Sequence, residues 1–195
     1  MPVEQHPLEP FLPANGRLLM LGSFPPPQKR WCMDFYYPNY INDMWRVVGL
    51  LFFGDALHFV DTEHKVFRKA EIVEFLNAKG IGIFDTASAV RRLKDNASDK
   101  FLEVVTPTEV EVLLSRMPLC QAVVTTGQKA TDTICEHFGI GQPKMGGRQK
   151  FCFRDPATGE ERRCFLYRMP STSRAYPLSL AKKAEAYRSM FDEIF

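Results

Sequence analysis

The sequence has no CxxC pair, no HExxH and no apolar run near the roughly 20 residues that a membrane span needs. Its five cysteines, Cys32, Cys120, Cys135, Cys152 and Cys164, are odd in number and widely scattered. That pattern argues against a disulfide framework and against a cysteine-ligated zinc or iron–sulfur site. Reduced, mostly buried thiols are expected instead. The four histidines, His6, His58, His64 and His137, show no metal-ligand spacing. Neither GxxxxGK[ST] nor GxGxxG occurs, which removes a Walker loop and a dinucleotide fingerprint. The N-terminus has no basic start and no apolar stretch of the signal-peptide kind, so a cytoplasmic location is the expectation. A charge excess is missing too: the net charge is +2, far from that of a polycation.

What is present is ordinary globular composition, 45% hydrophobic and 25% charged, over 195 residues. That length suits one domain with a real core, spanning residues 1–195, with a Pro-rich segment 1–16 packed on it. The basic residues come in small groups, among them Lys29-Arg30, Arg91-Arg92 with Lys94, Arg162-Arg163, and Arg168 with Arg174. Any one group reads as solvated surface. Their sum is compatible with one basic face on a nearly neutral protein.

Residues 17–21 read as a buried strand closed by Gly22, and Met44 to Phe53 as a mostly buried helix. His64 to Ala78 has helical spacing and a stop at Gly80. Ile81 to Phe84 is a second strand. Thr106-Pro107-Thr108-Glu109 looks like a helix start, and 121–126 is a third strand. Gln128 to Phe138 is helical. Two strand-like stretches, 150–154 and 162–168, flank a hairpin turn, and Leu178 to Phe195 forms a terminal helix. Strands alternating with helices imply an α/β protein with a mainly parallel sheet covered on both faces. Ligands of such sheets sit beyond the carboxyl ends of the strands. The loops after Leu21, Phe84 and Arg168 are therefore the candidate site.

The first of these loops is the richest of the chain. The stretch GSFPPPQKRWCMDFYYPNYINDMW, residues 22–45, packs prolines, aromatics and two asparagines behind a strand. Gly22 allows a close backbone approach. Asn42 precedes a helix, where asparagine is a preferred cap. Tyr36 and Tyr37 fit either core or rim, and Trp45 fits the core. After the last strand, Met169-Pro170-Ser171-Thr172-Ser173-Arg174 sets hydroxyls and an arginine before a helix. That is either a phosphate grip or a capping loop.

Taken in order, these stretches resemble the uracil-DNA glycosylase superfamily, closest to its hypoxanthine (deoxyinosine) DNA glycosylase branch. That branch reads GSFPG, then a YYAHPxNxFW-like segment, then LPSTSPAN. The counterparts here are Gly22-Ser23-Phe24-Pro25, then Tyr36 to Trp45 without a gap, then Met169 to Ala175. Gly80 to Asp85 is similar to its GIxLWD strand. The resemblance implies a three-layer α/β/α fold. It also implies catalysis by Asn42 and stacking of an extruded base on Tyr37. Gly22, Ser23, Phe24 and Pro25 would line the base pocket. Ser171, Thr172, Ser173, Arg174 and Ala175 would lie at the phosphates and at the gap left in the base stack. It implies no metal or organic cofactor, no membrane, and a monomer whose partner is DNA carrying a damaged base.

The chain departs from the branch at several points. Phe24 stands where better-known members carry Asp or Asn. Pro38-Asn39-Tyr40 replaces Ala-His-Pro. Met169 stands where the uracil-specific branch has a histidine, and Arg174-Ala175-Tyr176 replaces Pro-Ala-Asn. The expected activity is hydrolysis of the N-glycosidic bond of a flipped deaminated base, hypoxanthine or uracil. The alternatives are a binding module without catalysis on the same fold, and a hydrolase of free nucleosides or nucleotides.

Overall fold

A computed structural model describes residues 2–94 and 99–195. Met1, the first residue of the expected 1–16 segment, lies outside the described residues, as do residues 95–98 within the expected 1–195 domain. The chain begins with β1 (Val3–Gln5) and β2 (Leu18–Gly22), then α1 (Met44–Phe53). A small hairpin, β3 (Val60–Asp61) and β4 (Val66–Phe67), leads to α2 (Lys69–Lys79) and β5 (Ile81–Asp85). Next come β6 (Ala87–Arg92), β7 (Leu102–Pro107), α3 (Val110–Ser115), β8 (Ala122–Thr126) and α4 (Gln128–Phe138). The chain closes with β9 (Arg148–Arg154), β10 (Glu161–Met169) and α5 (Leu180–Ile194).

The central sheet has the order β5-β2-β8-β10-β9. Its first four strands are parallel, and β9 is antiparallel at the edge. Every residue of β2, β5 and β8 is buried, so both faces of these strands are covered. This is the three-layer arrangement expected from the sequence. Leu18 to Leu21, Val123, Val124 and Trp45 form the heart of the core. Burying each such side chain contributes about 1.5–3 kcal/mol.

The register aligns the carboxyl ends of the parallel strands. Gly22 pairs with Asp85, Leu21 with Thr125, and Met169 with Thr126. The loops leaving β2, β5, β8 and β10 therefore open at one edge of the sheet.

The expected helix His64 to Ala78 begins later than its spacing suggests. The Asp61 carboxylate accepts from the backbone N–H groups of Glu63 and His64. Lys65 takes a positive φ of 54°, and the chain turns into β4. Phe67 belongs to the core as a strand residue, so its apolar character counted toward the wrong period. Thr106 to Glu109 also differs from the expected helix start. Thr106 and Pro107 end β7, and the Thr108 hydroxyl donates to the Asp85 carbonyl at 2.7 Å. The helix starts at Val110 without a side-chain cap.

The sequence reading did not include a second sheet, β1-β6-β7, which is antiparallel. Ala87, Val90 and Leu102 close a small satellite core there, against Phe24 and Val104. The N-terminal segment reaches it through β1 and then crosses to the main sheet. Phe11 exchanges backbone hydrogen bonds with Ile83 at 3.0 and 2.8 Å. Among the described residues no helix is long and apolar enough to cross a membrane.

Candidate active site

The strand ends surround a cleft of about 630 Å³. Its walls come from the loop after β2, from the end of β5, from Thr126 and from the loop after β10. Each of Gly22, Ser23, Phe24, Pro25, Tyr37, Asn42, Ser171, Thr172, Ser173, Arg174 and Ala175 lines it. Residues far apart in sequence thus meet at one place, where an open α/β sheet binds its ligands.

The aromatic loop divides its rings between core and wall. Phe35, Tyr36 and Trp45 are buried. The Trp45 indole donates to the Tyr36 carbonyl at 3.1 Å, and the Tyr36 hydroxyl donates to the Glu9 carbonyl at 2.7 Å. Tyr37 is half-buried at the cleft, packed edge-on against Trp45. Its φ of 50° is rare for a bulky residue. The Tyr37 hydroxyl is paired with the Thr126 hydroxyl at 2.7 Å. Burial pushes the phenol far above its ordinary value, against the lowering effect of that hydrogen bond, so it stays neutral.

Asn42 is fixed from every side but one. Its carbonyl oxygen Oδ1 accepts from the Met44 N–H at 2.8 Å. Its backbone N–H donates to the Asn39 carbonyl, and its own carbonyl accepts from Arg46 at 2.9 Å. Arg46, buried in α1, also holds the Tyr40 carbonyl at 2.7 Å. Because the Met44 N–H is a donor, the atom facing it must be the amide oxygen. The amide nitrogen Nδ2 then points the other way, and among the described residues it has no hydrogen-bond partner. Asn42 is thus not the cap of α1, a position that Asp43 takes without a side-chain cap bond; it closes the turn just before the helix and keeps a free donor at the cleft.

The loop after β10 is held from below. Pro170, Thr172 and Ser173 accept through their carbonyls from the Tyr187 hydroxyl, the Asp43 N–H and the Lys183 ammonium, at 2.9, 2.9 and 2.8 Å. The Ser171 hydroxyl accepts from the Ser173 N–H, and the Ser173 hydroxyl accepts from the Ala175 N–H. Thr172 is only 1% exposed, so its part is structural backbone rather than an open hydroxyl. Ser173, Arg174 and Ala175 are exposed. Asp43 joins this loop to the Asn42 turn: its carboxylate accepts from Arg174 at 3.0 Å and from Lys183 at 2.8 Å.

Asp85 lines the same cleft and was not among the sequence-derived site residues. Its place at the end of the GIFD strand was the available signal. The oxygen Oδ2 accepts from the His6 ring at 2.9 Å. The other oxygen explains Gly22: a Cβ there would lie 2.4 Å from Oδ1. Phe24 brings an aromatic face, not a polar group, and packs edge-on against His6. Met169 is fully buried and offers the cleft nothing polar.

Several arginines are committed to partners within the chain, Arg162 and Arg168 of the suspected basic face among them. Arg162 donates to the Leu114, Met117 and Cys120 carbonyls and to Asp155. Arg148 pairs with Glu193, and Arg168 with the Pro143 carbonyl and Gln128. Arg30, Lys100 and Arg174 remain at the cleft itself. Among the described residues no cluster of His, Cys, Asp or Glu could hold a metal ion.

No family model and no curated protein matches the chain. It is similar to a solution NMR structure of a candidate uracil DNA glycosylase from Methanosarcina acetivorans. The match has a TM-score of 0.58 at 19% identity, and covers 97% of this chain and 99% of that one. The order of strands, the loops at their carboxyl ends and this likeness agree: the fold of the chain is of the uracil DNA glycosylase type.

Proposed function

We propose that the protein is a monofunctional DNA glycosylase that hydrolyses the N-glycosidic bond of a deaminated base, hypoxanthine or uracil, turned out of the helix into the cleft. The observation that carries this reading is the unpartnered Asn42 Nδ2 in the same cleft as the Tyr37 ring. A volume of about 630 Å³ falls within the about 300–1,000 Å³ usual for small-molecule sites. The reaction uses no metal or organic cofactor and a single copy of the chain.

Breaking the bond leaves positive charge on the sugar and negative charge on the departing base. The Asn42 Nδ2 donor stabilises that negative charge as it develops. Its Oδ1, with one lone pair given to Met44, keeps a second to orient a water. The water oxygen adds at the sugar carbon, its proton leaves to solvent, and the bonding electrons depart with the base. Asparagine is not a base, so the rate rests on geometry. Tyr37 supplies a stacking face worth about 1–3 kcal/mol, against an extrusion cost of a few kcal/mol that is least at damaged pairs. Ser171, Ser173 and Arg174, which line the cleft, give a backbone phosphate hydrogen bonds without sequence preference.

The test is single-turnover excision, with enzyme in excess, on end-labelled oligonucleotides carrying one hypoxanthine, uracil or xanthine. An alkali-labile break that disappears in Asn42→Ala supports the assignment. DNA affinity without a break at any lesion, from folded protein, favours the binding module that the apolar Phe24 motivates. Turnover of free deoxyinosine or deoxyuridine favours a nucleoside hydrolase.

A further inference from the structure

We infer that His6, from the N-terminal segment, is a positioning residue of this site. It holds Asp85 so that one carboxylate oxygen stays turned into the cleft to accept a ring N–H of the bound base. The inference rests on the glycosylase reading of the cleft and adds what selects its base.

The pair joins two distant parts of the chain, 79 residues apart. The His6 side chain is 4% exposed and that of Asp85 10%. The imidazole is clamped between aromatic rings, 4.4 Å from Phe84 and 5.2 Å from Phe24 between centroids. Its second nitrogen lies 2.9 Å from the Leu8 carbonyl and 3.1 Å from the Leu8 N–H. The ring therefore has no freedom to turn. A carboxylate oxygen only accepts, so the nitrogen facing Oδ2 carries the proton.

With Oδ2 engaged, Oδ1 is the working atom. Among the described residues nothing donates to it. It lies against Gly22, where the point a Cβ would occupy is 2.4 Å from Oδ1 and 3.6 Å from the Tyr37 hydroxyl. Oδ1 and the Tyr37 hydroxyl thus both border the Gly22 turn. An acceptor there favours bases with a protonated ring nitrogen beside a carbonyl, as in hypoxanthine, uracil and xanthine. Adenine and cytosine present a lone pair at that nitrogen, which the carboxylate oxygen repels. The chemistry of Asn42 needs no such reader, so Asp85 and His6 act on choice of base.

The experiment compares His6→Ala, His6→Gln and Asp85→Asn with the wild type. Affinity is measured by fluorescence anisotropy on single-stranded oligonucleotides carrying one hypoxanthine or one adenine. Single-turnover excision is followed on the same strands, and a melting curve is recorded for each variant. The wild type is expected to bind the hypoxanthine strand more tightly. His6→Ala and Asp85→Asn should reduce that preference by about tenfold or to none, since a hydrogen bond to a charged group is worth about 1.5–3 kcal/mol. His6→Gln, whose amide still donates, should keep most of it. The change should appear in the half-saturating concentration more than in the maximal rate. No preference in the wild type, an unchanged preference in folded His6→Ala, or equal loss in His6→Ala and His6→Gln overturns the inference. If His6→Ala does not fold, retention in His6→Gln with loss in Asp85→Asn is the required result. Preference without excision retires the glycosylase reading and leaves the pair as a base reader. Excision with a preference that the variants do not touch retires the pair alone.

Discussion

The Asp43 carboxylate and the Lys183 ammonium meet at 2.8 Å inside the protein, one residue from Asn42 in the chain. Lys183 is 1% exposed, and it also donates to the Ser173 carbonyl. One buried cation therefore sets the distance between the Asn42 turn and the Ser171–Ala175 loop.

Lys183→Met removes that cation and leaves Asp43 with the exposed Arg174 as its remaining charged partner. Breaking a buried pair from one side costs about 3–5 kcal/mol. Arg174 offsets part of it, so a loss near the lower end is expected in a denaturant titration. Base release per folded molecule should fall as well, because both loops lose their common anchor.

Asn42→Asp separates the two jobs of this residue. Aspartate still accepts from the Met44 N–H, so the turn before α1 is kept and the melting temperature should hardly move. The Nδ2 donor becomes an acceptor that repels the departing base. Loss of one such donor costs on the order of 10²–10³ in rate. A folded Asn42→Asp that excises at the wild-type rate would return Asn42 to a purely structural role.

Tyr37 gives a graded pair of variants. Tyr37→Phe keeps the ring but leaves Thr126 without its partner, a loss of about 1 kcal/mol in stability. Tyr37→Ala also removes the stacking face. It should weaken binding to a strand with a damaged base more than to an intact duplex; equal weakening on both would remove the stacking role.

Asp155 predicts a pH dependence of stability. The Arg162 guanidinium, with the Ala157 N–H, holds its carboxyl below the ordinary 3.8. A depressed value stabilises the fold above the ordinary value and loses that contribution as pH falls through the folded one. The gap in melting temperature between wild type and Asp155→Asn should be open at neutral pH and narrow below 3.8.

Where structure follows from local spacing, it was legible. Met44–Phe53 and Gln128–Phe138 match their expected spans at both ends. A helix is written in contacts three and four residues apart, and a glycine with positive φ ends each of these two. The hairpin at Asp155–Gly159 was legible for the same reason. The β3–β4 hairpin was not. Two-residue strands carry no period of their own, and Phe67 fits a helical pattern equally well. The second sheet was hidden because β1 owes its strand form to pairing with β6, nearly the whole N-terminal half away.

The sequence by itself determined the order of the central-sheet strands and of most helices between them, the buried parallel strands and the loops that carry the cleft, because each rests on patterns among near neighbours. It also placed Asn42, Tyr37 and the serine loop at strand ends. Only the tertiary structure decided which atoms those loops present. The Asn42 amide is oriented by Met44, its turn is anchored by Lys183 from 140 residues away, and the acceptor Asp85 is aimed by His6. A pairing of charges across such separations leaves no period in a sequence. It exists only once the sheet has brought the strand ends together.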